Sequence, residues 1–175
     1  IHLTNQYLAM CERHIGWRFS TEAMERSELG FVGLKNLGAT CYMNSLLQQL
    51  FMIQPLRNGI LAVDPPGAPR GENEEVLFQM QTLFGFLAYS ARRYYDTKPF
   101  CSTYKMNGAP VNVSQQQDAT EFFNVFLDKI EWALKGTPQE SLLKHVFGGQ
   151  ILHQLIYENT VSETAEPYSF IGLDI

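Results

Sequence analysis

Cysteine is scarce in this chain of 175 residues. The three present, Cys11, Cys41 and Cys101, are odd in number, widely spaced and free of any CxxC pair. That excludes a disulfide framework and a complete cysteine zinc site. The usage fits a reducing compartment, cytoplasmic or nuclear. A run of about 18 apolar residues is also missing, so no membrane span and no membrane partner are expected. The opening IHLTNQYLAM lacks a signal-peptide pattern. Positive charge is in deficit, with 13 Lys and Arg against 18 Asp and Glu and a formal charge of −5. A nucleic-acid binder needs the opposite balance, so no nucleic-acid partner is expected. Repeats and low-complexity tracts are absent. Apolar residues, by contrast, make up 45% and charged residues 18%, the balance of a folded globule. A globule of this length buries roughly 70% of its unfolded surface without staples. The strand-like ending Leu173-Asp174-Ile175 leads us to expect a piece of a longer protein.

Periodicity organises the chain. Residues 1–29 form an upstream helical segment or linker, with a helix expected over about 3–13. A glycine-punctuated turn then runs into a helix whose stripe is Met43, Leu46, Leu47, Leu50 and Phe51, and Pro55 ends that helix or begins its exit. DPPGAPRG, residues 64–71, is a loop. A second helix is expected over about 73–92, on Val76, Leu77, Met80, Leu83, Phe84 and Leu87. Residues 95–113 read as irregular. A third helix is expected from Ser114, with Gln117 three positions on as its capping-box partner. Its stripe is Ala119, Phe122, Phe123, Phe126, Leu127 and Ile130, and Gly136-Thr137-Pro138 stops it. A short helix over about 139–146 follows, then strands over 151–157 and 168–175. Helices first and strands last make an α+β chain.

One cysteine stands in a chemically special place. Cys41 lies where the glycine-rich turn meets a helix, and first-turn amides lack intrahelical partners while the helix dipole adds partial positive charge. A thiolate is favoured at such a position, which is how a cysteine becomes a nucleophile. Gly33 and Gly38 allow the sharp backbone turn. Asn36 offers an amide donor that, with the Cys41 amide, suits the oxyanion of a tetrahedral intermediate. The competing reading is a small buried hydrophobe, the usual fate of a lone cysteine near a helix start. Cys11 and Cys101 have no comparable surroundings and are read as structural.

Residues 30–54, GFVGLKNLGATCYMNSLLQQLFMIQ, closely resemble the Cys box of the ubiquitin-specific proteases, most of all its very large members. The match runs through Gly33, Leu34, Asn36, Gly38, Thr40, Cys41, Tyr42, Asn44, Ser45 and Gln49. The resemblance implies a papain-like cysteine peptidase fold, with residues 30–175 as the N-terminal half of the catalytic domain: the helical thumb and the first strands of palm and fingers. It implies Cys41 as nucleophile, Asn36 as oxyanion donor, ubiquitin and ubiquitinated proteins as partners, and no cofactor. QQQDATEFFNVFLDKI, residues 115–130, resembles the second box, often written QQDAHEFL, with Thr120 in place of the usual His. It implies that Asp118, Glu121 and Gln117 contact the ubiquitin tail. Asp118 and Glu121 are three apart, which puts both carboxylates on one helix face, and a pair of this kind accepts charge-assisted hydrogen bonds from arginine. The competing reading is that both simply favour a helix N-terminus. Gln116 and Gln117 are expected in part to bridge the helix start to neighbouring backbone.

Two family features are absent. Counting back from Ser162 and Glu166-Pro167-Tyr168, the positions of the first zinc CxxC hold Leu155 and Glu158. A tetrahedral zinc site does not survive the loss of two of four ligands, so fingers without metal are expected. The general-base His, which the family carries in a Gly-His-Tyr motif, has no counterpart, and His2, His14, His145 and His153 lie in other surroundings. The chain therefore resembles a thiol-dependent deubiquitinase missing its base-bearing half. The alternative is an inactive ubiquitin-binding scaffold.

Overall fold

The computed structural model describes residues 25–64, 71–106, 108–158 and 160–168. The helix expected over 3–13 and most of the 64–71 loop lie outside them. Six helices and three small two-stranded sheets make up the described fold, an α+β arrangement with the helices packed on one another. No helix of the described residues is long and apolar enough to cross a membrane.

Helix α1, Cys41–Met52, buries Met43, Leu47, Leu50 and Phe51, the face its spacing dictates. The chain then turns at Ile53, which takes an extended conformation, and α2 begins, Gln54–Ala62. Pro55 therefore opens a helix and does not close the chain's helical path. In a first turn its missing N–H is no loss and its fixed φ is already helical. Helix α3, Glu72–Tyr89, is buried continuously from Val76 to Leu87 except at Phe78. It is the central pillar, with α2 on one side and α5, Ala119–Leu134, on another. Its buried Gln81 donates to the Ile60 and Val63 carbonyls, each at 2.9 Å, and so satisfies the end of α2.

Residues 25–30 act as a clasp on the far end of α3. The Arg26 guanidinium donates to the carbonyls of Leu87, Ala88 and Ser90 at 3.1 to 3.2 Å, and its Nε to Gly30 at 2.6 Å. A cation on the last carbonyls complements the helix dipole.

The stretch 95–113 is more ordered than its composition suggests. Strand β1, Gly33–Leu34, pairs in parallel with β2, Tyr94–Tyr95. Helix α4, Lys98–Thr103, follows with Pro99 in its first turn. Strands β3, Lys105–Met106, and β4, Ala109–Pro110, close a minimal hairpin. What holds this segment is an aromatic cluster. Phe100 and Tyr104 pack with Phe122 and Phe126 of α5, with ring centroids 5.2 to 6.1 Å apart. These contacts come from distant sequence, which is why local pattern missed them.

Helix α5 starts at Ala119, five residues later than expected. Ser114 is occupied elsewhere: its amide donates to Asn112 Oδ1 at 3.0 Å, and the Gln115 amide to the Asn112 carbonyl at 3.1 Å. This asparagine turn competes with helix, and Asp118 supplies the real cap. Of the expected stripe, Phe122, Phe126 and Ile130 are buried, and Ala119 is exposed. After α6, Leu142–Phe147, come β5, Gly149–Tyr157, and β6, Thr160–Tyr168, in an antiparallel hairpin. Strand β6 was not among the expected elements, and the strand expected over 168–175 lies, but for Tyr168, outside the described residues. Tyr157 pairs directly with Thr160, and Glu158 takes φ 48° in the reversal, the geometry of a tight hairpin turn.

Candidate active site

The turn before α1 is tied down from three sides. The Gly33 and Lys35 amides donate to the Arg93 and Tyr95 carbonyls at 2.8 and 2.9 Å. The Lys35 carbonyl accepts from Asn44 Nδ2 at 3.2 Å and from Thr97 Oγ1 at 3.1 Å. The Ala39 amide donates to the Val113 carbonyl at 2.7 Å. Gly38 has φ 141°, and a Cβ there would stand 2.7 Å from that same Val113 oxygen. Only glycine meets both the conformation and the approach.

Within this turn Asn36 and Thr40 are locked together. Asn36 Oδ1 accepts from the Gly38 amide at 3.1 Å, the Thr40 amide at 3.2 Å and the Thr40 hydroxyl at 3.0 Å. A side-chain NH2 cannot accept from backbone N–H, so the orientation of the amide is determined by its donors. Nδ2 has no acceptor among the described residues and is left to donate elsewhere.

Cys41 is the first residue of α1 and is exposed. Thr40, the N-cap, makes no side-chain bond to the helix amides. The first turn of α1, which holds the sulfur, therefore has no side-chain cap. Cys101, by contrast, is buried on α4, and burial pushes its thiol up to about 11. The structural reading of Cys101 holds, while the reading of Cys41 as a buried hydrophobe does not. Tyr42, next in the chain, is buried with its phenol raised above the ordinary range, first by desolvation and then by the thiols of Cys101 and Cys41.

The start of α5 lies against the start of α1. The rings of Tyr42 and Phe122 meet edge to face with centroids 5.6 Å apart. Asp118 is not part of a helix face: it is the N-cap, with Oδ1 accepting from the Thr120 amide at 2.7 Å and the Glu121 amide at 3.0 Å. The competing helix-terminus reading of Asp118 is thus what the geometry displays, and the spacing argument for a shared face is corrected. Asp118 Oδ2 and the exposed Glu121 carboxylate have no hydrogen bond or ion pair among the described residues. Gln116 and Gln117 make no side-chain hydrogen bond there either, so the expected bridge to backbone is not formed.

The described histidines do not serve the sulfur. His145 lies on α6, and His153 on β5 sets its Nε2 3.3 Å from Glu166 Oε2 across the hairpin. Leu155 and Glu158 stand towards the hairpin's reversal, with Leu155 opposite Ser162. Two contributors to the site escaped the sequence reading: the Val113 carbonyl and the Thr40 hydroxyl. Thr40 was named in the motif match without a role. Its burial and its bond to Asn36 give it one.

The family model described as "Ubiquitin carboxyl-terminal hydrolase" matches residues 32–164. Among curated proteins, ubiquitin carboxyl-terminal hydrolase 9X of Mus musculus is 33% identical over an alignment covering 96% of this chain and 8% of that protein. Ubiquitin carboxyl-terminal hydrolase puf of Drosophila melanogaster is 37% identical over 87% of this chain and 4% of its own length. Ubiquitin carboxyl-terminal hydrolase 34 of Homo sapiens is 36% identical over the same shares. The chain therefore spans less than a tenth of the length of these relatives.

Proposed function

This chain belongs to the ubiquitin carboxyl-terminal hydrolase family, and from that premise we propose that it carries the nucleophile half of a thiol-dependent ubiquitinyl hydrolase. The observation that supports this most is local. Cys41 is exposed at an uncapped helix start, with the donor end of an oriented Asn36 amide left unengaged in the turn before it.

In the proposed reaction a His from sequence outside these 175 residues takes the Cys41 thiol proton. The sulfur attacks the carbonyl carbon of ubiquitin's C-terminal glycine. The carbonyl oxygen becomes an oxyanion held by Asn36 Nδ2 and the Cys41 amide. Collapse breaks the C–N bond, and the imidazolium returns its proton to the departing amine. The resulting thioester is hydrolysed by water, which regenerates the thiol. Asp118 through Oδ2, Glu121 and Gln117 would hold the arginine-bearing ubiquitin tail, so that the scissile bond arrives oriented. The substrates of such an activity are ubiquitin and ubiquitinated proteins.

The test uses the full-length protein and a ubiquitin whose C-terminus carries an electrophile. A single covalent adduct is expected, absent in Cys41→Ala. Catalytic turnover in that variant should fall by about ten thousandfold or more. An adduct that survives Cys41→Ala overturns the nucleophile assignment. Ubiquitin binding without any adduct would favour the inactive scaffold.

A further inference from the structure

Threonine before a helix ordinarily turns its hydroxyl onto the amides of the second or third helical residue. Thr40 does otherwise. Its side chain is wholly buried, yet the hydroxyl gives nothing to α1. It accepts from the Leu37 amide at 3.2 Å and donates to Asn36 Oδ1 at 3.0 Å. The same hydroxyl thereby closes the 36–40 turn on itself and supplies the one side-chain donor among three that converge on that oxygen.

We propose that Thr40 is the positioning residue that aims the Asn36 side-chain amide at the reaction's oxyanion. The inference rests on the reading of Asn36 as oxyanion donor and deepens it. The terminal torsion of asparagine is broad and has two nearly equivalent orientations related by a flip. Two backbone amides disfavour the flipped orientation, since it would set NH2 against N–H. They belong, however, to a turn whose own shape depends on the Leu37 to Thr40 bond. Removing the hydroxyl loosens both restraints at once and leaves the Leu37 amide without its acceptor. Withholding the hydroxyl from the helix also leaves the Tyr42 and Met43 amides without the side-chain cap that an N-cap threonine ordinarily gives.

An aimed donor works only when negative charge develops, so its loss appears in kcat and not in KM. In the full-length enzyme, hydrolysis of a ubiquitin C-terminal amide should lose about tenfold in kcat in Thr40→Val, with KM unchanged, part of the hundred- to thousandfold expected for removing the donor itself. Thr40→Ser should retain wild-type kcat. Thr40→Cys, which keeps a weak donor, should fall between. The decisive comparison is Thr40→Val made on Asn36→Ala, where no further loss in kcat is expected because there is nothing left to aim. Additive losses in the double variant overturn the proposal, as does full activity in Thr40→Val. If Thr40→Val does not fold, wild-type kcat in Thr40→Cys overturns it, and an intermediate kcat there supports it. A silent Asn36→Ala in an active enzyme removes the donor role and this inference with it. An inactive wild-type protein instead removes the hydrolase reading.

Discussion

Two helices begin side by side in this molecule, and they begin differently. At α5 the N-cap carboxylate of Asp118 takes two of the free amides, at 2.7 and 3.0 Å. At α1 the N-cap hydroxyl of Thr40 turns away to Asn36 and the helix amides are left open beside an exposed sulfur. A capped start stabilises the fold by about 1 kcal/mol and is chemically quiet. An uncapped start forgoes that stabilisation and keeps donors in place for charge that arrives later. The difference separates a helix start whose side-chain cap is in place from one that has none, although both helix starts carry family motifs.

This contrast is broken most sharply at the uncapped end. Asn36→Ala should reduce kcat by about a hundred- to a thousandfold while leaving ubiquitin binding intact, measured by steady-state kinetics and by affinity on a Cys41→Ala background. A comparable rise in KM would mean that Asn36 holds substrate and not the transition state.

Gly38→Ala comes next. A methyl group at φ 141° and 2.7 Å from the Val113 carbonyl forces the turn open. We expect kcat to fall by about tenfold or more and the protein to lose about 1 to 3 kcal/mol in denaturant titration. Unchanged kinetics would show that the turn tolerates displacement and that its geometry is not what sets the rate.

The capped end should respond in stability first. Asp118→Ala is expected to cost about 1 kcal/mol, whereas Asp118→Asn keeps a capping oxygen and should be nearly neutral. The two variants also sharpen the tail-binding proposal. If Asp118→Asn raises KM as much as Asp118→Ala does, the carboxylate charge meets the substrate. If it behaves as wild type, Asp118 is a cap alone.

The smallest effect concerns the buried thiol that contrasts with Cys41. Burial raises Cys101 from 9.0 to about 11, so the folded state keeps a proton that the unfolded chain has already lost. The stabilisation is present in full below about pH 9 and is lost as pH rises towards about 11. Thermal midpoints across that window should fall less steeply in Cys101→Ala than in wild type. Equal slopes would mean that the loss comes from elsewhere, with the buried Tyr104 phenol, also raised by burial, as the first place to look.

Legibility in the sequence followed the range of the interactions involved. The apolar stripes of α1, α3 and α5 were readable because a 3.6-residue period is written in the chain itself, and Met43, Leu47, Met80, Leu83, Phe122 and Phe126 are all fully buried. The place of Cys41 at a helix start was readable for the same reason. The 95–113 stretch was not, because α4 owes its position to Phe122 and Phe126 on a helix far along the chain. The start of α5 was misread because Ser114 and Asp118 are both good caps, and the choice fell to Asn112, which captured the Ser114 amide first.

By itself, then, the sequence determined the helical periods, the cysteine at the mouth of a helix, and the motif that carries the family likeness. Tertiary structure decided how the segments meet, with the turn before α1 tied to Arg93, Tyr95 and Val113, and within that frame the local choices followed: which end of the Asn36 amide is free, that Thr40 serves Asn36 and not its own helix, and that Asp118 and not Ser114 caps α5. The physical reason is that composition and spacing say which donors and acceptors exist, while only the folded backbone brings them within 3 Å or so of one partner and not another.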